Sequence, residues 1–410
     1  MDVRDFGAVG DGQTLDTPAF HAAIASLAPS GGCVGAFSGQ YLIAQVDLAT
    51  NTFLYIHNDA TLLGSITEAH YPWDASHPWT TNWAVVRGLG VHNAGLLGPG
   101  ALSGQALRMA AGYDPTQDQF IPQRWTGPPH FCTGECRPRA VVFINSTSLL
   151  LHGLALLDSP DWTTHFLACR SVRLHSVRIR GDPRWPNNDG IDVDSSQDVL
   201  ITHSSVATGD DAICLKTTAG RGPLRNVTVA HCTVSSRSCA VKFGSETPEE
   251  LSEVRLEDIT IEDSHRGIGF QVRDAGSVHD VVVRGVRVRT RMYPPAWWGA
   301  GEFLWVTACE RAPGEPAGSV FNVRLQDITA FSENGALLSS YHGSKPFIHN
   351  ITLENIDLTL AKYTNDSQPS RDYRPTYAPE VVEAAISGFF FEFCRDVVVR
   401  GCSVTFEGNM

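Results

Sequence analysis

A chain of 410 residues that is 42% hydrophobic and 18% charged can bury a large core and lacks the composition of a disordered protein. Its formal charge of −13, with no block of basic residues, argues against nucleic acid or an anionic membrane surface as a partner. No run approaches the ~18 apolar residues of a membrane-spanning helix, and ten cysteines are too few for a disulfide scaffold.

In chain order, Asp2 to Gly12 already reads as folded chain with no charged-then-apolar leader ahead of it. The protein therefore either stays inside the cell or has lost a leader. Thr17 to Leu27 is the one convincing helix, with Asp16 or Thr17 as N-cap and Phe20, Ala23, Ile24 and Leu27 on one stripe. Cys132 and Cys136 flank the turn Thr-Gly-Glu, where a bridge and two free thiols are both open readings. Cys169, Cys232 and Cys402 fall at apolar positions and are expected to be buried thiols.

From Leu149 onward a repeat takes over. Apolar residues stand at offsets 0, 2, 5 and 7 from Leu149, Val172, Val199, Val227, Val254, Val281, Val323, Ile351 and Val397. Ser204 and Ala330 are the weak positions. The starts lie 23, 27, 28, 27, 27, 42, 28 and 46 residues apart, a period that marks a repeat architecture. Offsets 0 and 2 alternate as in a strand, a polar or small pair bends the chain, and offsets 5 and 7 alternate again. Nothing between copies has the length or period of a repeated helix. The expected fold is all-β: a right-handed parallel β-helix, a solenoid with an N-terminal capping helix. No domain boundary is expected within 1–410; 1–45 forms the cap and leading coils, and 46–410 the body. The two long intervals read as loop insertions near 293–301 and 362–379, of the kind that project on a binding face.

A second alternating strand follows each copy: 190–195, 212–217, 240–245 and 267–272. Ile191, Ile213, Val241 and Ile268 share one inward column, and Val193, Leu215, Phe243 and Phe270 another. The outward positions are then Asp192, Cys214, Lys242, Gly269 and Asp194, Lys216, Gly244, Gln271. The chain has four lysines, and two of them stand on this face beside two aspartates. That is either a solvated, charge-paired face or a groove that grips sugar hydroxyls and carboxylates. Just before these strands, Asp161, Asp189, Asp211, Cys239 and Arg266 form another column, with Asp210 next to Asp211. Coils ~4.8 Å apart would bring carboxylates close enough to drive one pKa up while the other stays ionised. The plainer account is a structural Asp cluster at a turn, able to hold Ca²⁺.

These residues resemble glycoside hydrolase family 28, the polygalacturonases and rhamnogalacturonan hydrolases. Asn187-Asn188-Asp189-Gly190-Ile191-Asp192 is similar to the family's Asn-Thr-Asp-Gly-x-Asp segment. Gly209-Asp210-Asp211-Ala212-Ile213 is similar to its Gly-Asp-Asp-x-Ile segment, with the fitting 21-residue separation. Ser159-Pro160-x-Trp162 and the opening Asp5-Phe6-Gly7-Ala8-x-Gly10-Asp11-Gly12 extend the likeness to nearly the whole chain. The resemblance implies Asp210 as general acid, Asp189 and Asp211 as the groups that hold and activate water, and inversion at the anomeric carbon. It also implies an extracellular or periplasmic place of action. Two departures stand out: Ser238-Cys239-Ala240 where polygalacturonases have Gly-His-Gly, and Gly269-Phe270-Gln271 where they have Arg-Ile-Lys for the galacturonate carboxylate. Rhamnogalacturonan hydrolases share the first departure.

The expected function is hydrolysis of α-glycosidic bonds in a pectin-type oligo- or polysaccharide other than plain polygalacturonate. Asp192, Lys216, Lys242, Gln271 and Arg273 are the candidate sugar-binding residues on the strands. Trp297 and Trp298, on a Gly/Pro-rich insertion, suit stacking on sugar faces or packing onto the coil. Glu302 is a spare carboxylate; His165 and Tyr341 are weaker candidates. No metal, cofactor or protein partner is called for. Two other classes fit the architecture: a Ca²⁺-dependent lyase with Lys242 or Arg266 as base, and a non-catalytic carbohydrate-binding β-helix.

Overall fold

The computed structural model describes residues 1–28, 30–72, 83–125, 136–294, 297–340, 347–367, 369–375 and 380–408. Tyr341 and Cys132 lie outside them; Cys136 is disulfide-bonded. The chain is an all-β, parallel β-helix, and two short hairpins are the exceptions to parallel pairing among the described strands. It divides into two compact units, residues 1–114, 119–192 and 199–208 in the first, and 115–118, 193–198 and 209–410 in the second.

In the second unit the repeat copies stack as the sequence pattern requires. Val227 pairs with Val254, Val254 with Val281, Val281 with Val323, Val323 with Ile351 and Ile351 with Val397. The bends have a conformational cause that the apolar pattern does not carry. The residue before each copy and the residue at offset 4 both take left-handed backbone: Asp198 and His203 (φ 58° and 53°), Asn226 and His231 (55° and 54°), Asn322 and Asp327 (53° and 57°). Left-handed backbone costs most residues ~1–2 kcal/mol but is tolerated by Gly, Asn and Asp. Those side chains also tie neighbouring coils, Asn350 to Asn322 at 2.6 Å and Asn322 to Asp280 at 3.0 Å.

The other wall of this unit stacks Ile213–Lys216, Cys239–Phe243, Arg266–Val272, Glu302–Ala308, Asn334–Ser339 and Phe389–Glu392. Its inward columns, Ile213-Val241-Ile268 and Leu215-Phe243-Phe270, are buried, and Phe243 and Phe270 stack at 4.2 Å. Buried aromatic pairs of this kind add ~0.5–1.5 kcal/mol beyond their area. The outward residues therefore have fixed directions, which is what positions a site on this wall.

The first unit repeats the scheme. Gly32–Ile43, Thr52–Gly64, His92–Leu97, Thr147–His152 and Arg170–His175 stack on one wall. Val46–Asp47, Ala84–Leu89, Arg139–Ile144 and Thr164–Leu167 form a second. The helix forms over Thr17–Ser26, and Phe20, Ala23, Ile24 and Leu27 are buried as its stripe requires. Asp16 occupies the N-cap without capping: its carboxylate accepts from the backbone N–H of Val9 (2.7 Å) and Gly10 (3.1 Å). Cys169 and Cys232 are buried thiols, whereas Cys402, on the last coil, is partly exposed.

Candidate active site

The first unit holds Asp189, Asp192 and His165; the second holds Asp210, Asp211, Lys216, Lys242, Gln271, Arg273, Trp297, Trp298 and Glu302.

In the first unit, Asp189 and Asp192 are buried at the start of the strand Ile191–Asp194. The Arg137 guanidinium fixes the segment ahead of them, donating to the Pro186 carbonyl and to Asn187 Oδ1, each at 3.3 Å. Thr163 N–H donates to the Asp189 carbonyl (2.7 Å) and Thr164 N–H to that of Gly190 (3.0 Å), so Trp162, not Asp161, pairs with Asp189. Asp161 stands one residue ahead of the expected column, and its carboxylate accepts from Trp162 N–H at 2.7 Å and from Arg139 Nε at 3.2 Å. Arg139 also meets His165 Nδ1 at 2.7 Å and lies 3.7 Å over the Trp162 ring. His165 is thus buried in a network with Arg139, a side chain that sequence reasoning missed. Extending the Asp189–Asp211 column to the apolar strand starting at Arg139 would have found it.

In the second unit, Asp210 and Asp211 sit just before Ile213–Lys216. Asp211 is buried and fully engaged. Lys242 Nζ stands 2.7 Å from its Oδ2, while the Ser238 hydroxyl (2.8 Å) and Cys239 N–H (3.2 Å) donate to its Oδ1. Burial works against the charge of Lys242, but Asp211, with Cys214 and Asp210, more than offsets it and holds the ammonium above its ordinary pKa. Asp210 differs in kind. It keeps part of its surface open, accepts the Asp211 N–H at 3.0 Å, and is pushed above the ordinary carboxylate range by burial and then by the Asp211 charge. Burial also raises the Cys239 thiol, which stays neutral and donates to the Val241 carbonyl. The Ser-Cys-Ala segment thus serves Asp211 through a hydroxyl and a backbone N–H rather than through an imidazole.

Of the other candidates, Lys216 is buried and ion-paired to Glu246 at 3.3 Å, which it holds down at about 2. Arg273 is half-buried near Glu246, Asp274 and Arg311; burial and then Arg311 lower its pKa. Gln271 and Glu302 are each 1% exposed. Gln271 Nε2 reaches the Arg374 carbonyl at 3.5 Å, and Glu302 accepts Ala300 N–H at 2.8 Å with Arg266 3.6 Å away. The two tryptophans separate: Trp297 is 4% exposed and Trp298 44%. Trp297 is packed into the fold, so only Trp298 presents a face.

Two carboxylates with unlike surroundings, one ion-paired and one pushed toward its protonated form, are what acid–base cleavage of an acetal needs.

The sequence profile described as glycosyl hydrolases family 28 matches residues 45–295, more than half of the chain. A probable polygalacturonase of Vitis vinifera is 29% identical over 325 residues, 73% of this chain and 62% of that protein. An endo-polygalacturonase of Pectobacterium carotovorum is 24% identical, covering 65% of this chain and 63% of its own length. The chain thus spans just under two thirds of the length of these curated relatives. A hyperthermoactive exopolygalacturonase from Thermotoga maritima shares the fold with a TM-score of 0.73 at 19% identity, covering 98% of this chain and 91% of that one. A polygalacturonase from Erwinia carotovora does so with a TM-score of 0.68 at 19% identity, covering 92% and 96%.

Proposed function

The chain belongs to glycosyl hydrolases family 28, and from that premise we propose that it is a glycosidase cleaving α-glycosidic bonds in pectin-type oligo- or polysaccharides with inversion. The observation that carries this reading is the second unit's carboxylate pair: Asp211 ion-paired to Lys242 at 2.7 Å, and Asp210 beside it with a raised pKa. Asp210, protonated, donates to the leaving oxygen. Asp211, which Lys242 meets at 2.7 Å, takes a proton from water. Asp189, in the first unit, is the second proposed water-holding carboxylate, an assignment that rests on its place in the Asn-Asn-Asp-Gly-Ile-Asp motif.

On the substrate side, Lys216, Lys242 and Arg273 are the proposed grip on a sugar carboxylate, Lys216 and Lys242 while also paired to Glu246 and Asp211. Asp192 and His165 remain proposed sugar contacts in the first unit, and Trp298 is the proposed stacking platform. The missing Arg-Ile-Lys sequence supports a substrate other than plain polygalacturonate. The likeness to polygalacturonases favours polygalacturonate as the second reading. A lyase is less well supported, because both cations suited to proton abstraction are engaged, Lys242 with Asp211 and Arg266 with Glu302 and Asp372.

The wider picture is one right-handed solenoid capped by Thr17–Ser26 and acting outside the cytoplasm. The unbroken spacing of Val172, Val199 and Val227 supports treating it as one domain. Among the described residues no helix is long and apolar enough to cross a membrane. A screen of defined pectic oligosaccharides tests the function. New reducing ends without an ultraviolet-absorbing unsaturated end are expected, with rhamnose-containing or neutral substrates cleaved faster than homogalacturonan. Unsaturated products would establish a lyase, binding without turnover would remove catalysis, and efficient cleavage of homogalacturonan would select the second substrate reading.

A further inference from the structure

The outward face of the second unit's wall changes character along its length. One outward column runs Cys214, Lys242, Gly269, Trp305, Leu337, Phe390. At Lys242 this face carries the ammonium that meets Asp211. At Gly269 it has no side chain, since a Cβ there would come within 2.7 Å of Cys239 Sγ. Two strand spacings beyond Lys242, ~9.6 Å, Trp305 is 1% exposed although it points outward. What covers it is the hairpin in which Arg371–Asp372 pairs with Val381–Val382.

The hairpin is pinned rather than laid on. The Asp372 carbonyl accepts from Trp305 Nε1 at 2.8 Å and from Arg266 Nη2 at 3.1 Å. The Asp372 carboxylate takes Gly299 N–H at 2.6 Å and Arg374 Nη2 at 2.7 Å. Asn334 Nδ2 donates to the Ser370 carbonyl at 2.6 Å. Tyr373, 2% exposed, packs with Trp305 and Leu337. Arg266, 5% exposed, lies 3.7 Å over the Trp305 ring. Charged and aromatic groups that would otherwise line an open groove are thereby sealed, which also accounts for the burial of Gln271 and Glu302.

The geometry points to the hairpin of Arg371–Asp372 and Val381–Val382 as a wall across the substrate groove, so that a sugar chain extends from Asp210 past Lys242 only a short way before meeting Tyr373 and Trp305. This rests on the proposed hydrolase reading and adds its mode: the enzyme works from a chain end and releases a short product of fixed length, because an internal segment of a polymer cannot lie through a closed end.

The experiment follows product length and viscosity together on a long pectic polymer that the enzyme cleaves. The wild type is expected to release one short product from the earliest times, with viscosity falling slowly for the reducing ends formed. An early ladder of intermediate lengths with rapid loss of viscosity overturns the inference while leaving the hydrolase reading standing. Absence of new reducing ends on every pectic polymer overturns the reading itself and this inference with it. The doubly substituted D372A/Y373A chain, checked for folding by circular dichroism, is expected to release intermediate lengths. If the folded variant still yields only the short product, the hairpin is not the barrier. Should the double variant not fold, Y373A alone gives the same comparison, because it removes the plug and leaves the Asp372 anchors in place.

Discussion

Lys242 and Asp211, contributed by different coils, meet at 2.7 Å on a wall whose inward neighbours are fully buried. The Ser238 hydroxyl and the Cys239 N–H donate to the other Asp211 oxygen. Hydrogen bonds to the charged form favour it. The adjacent Asp210 is pushed up by burial and then by the Asp211 charge. Backbone neighbours thereby stand in unlike surroundings, the division of labour that the proposed mechanism uses.

The consequence for pH dependence has a definite sign. A general acid acts only while protonated, so activity is lost as pH rises through the raised pKa of Asp210. The Lys242 charge lowers that pKa, against burial and Asp211, which raise it. Lys242→Met should therefore move the basic limb of the kcat/KM profile to higher pH, while kcat falls roughly 10²-fold as Asp211 loses its partner. A pH–rate profile of the variant whose basic limb stays where it was in the wild type would show that Lys242 does not tune Asp210.

Stereochemistry tests the pairing of acid and water without regard to which carboxylate does what. An inverting site holds water between groups roughly 6.5–9.5 Å apart; a retaining one needs a nucleophile about 5–5.5 Å from the acid and a covalent intermediate. Proton NMR of the fresh product, read before mutarotation, should show the inverted anomer first. Initial retention would replace this mechanism even if all three aspartates proved essential.

Arg266 gives a stability prediction. It is buried, ion-paired to Glu302 at 3.6 Å and Asp372 at 3.5 Å, and stacked on Trp305. Arg266→Ala should lower unfolding stability by about 3 kcal/mol, at the low end for breaking a buried pair because Asp372 keeps Arg374. Urea unfolding measures it, and a loss below about 1 kcal/mol would mean that the cluster is not a structural anchor.

Much of this was legible in the sequence because a β-helix writes its core as columns. Val227, Val254 and Val281 announced their pairing, and Ile213, Val241 and Ile268 set which residues face outward. The strands Gly32–Ile43, Thr52–Gly64 and His92–Leu97 were not read into the repeat pattern, which was traced from Leu149 onward. The first two of them shift register between Ala36 and Ser38, which breaks an even apolar spacing. The left-handed bends were visible as Asp198, His203, Asn226 and His231 but carry no apolar signal. Gln271 and Glu302 were expected to touch sugar. Gln271 meets Arg374, roughly a hundred residues later in the chain, and Glu302 pairs with Arg266, which Asp372 also holds; no local period encodes such contacts. Trp297 and Trp298, adjacent in sequence, part company because neighbours in a loop need not share an environment.

The account stands most directly on Asp210. Asp210→Asn removes the proton that the leaving oxygen requires and keeps the size and hydrogen-bonding shape of the side chain, so unfolding behaviour should match the wild type. Steady-state kinetics on the best substrate of the pectic screen should then show kcat reduced by ~10³-fold or more. A folded Asp210→Asn protein that retains more than about a tenth of wild-type activity would contradict the assignment of Asp210 as the general acid.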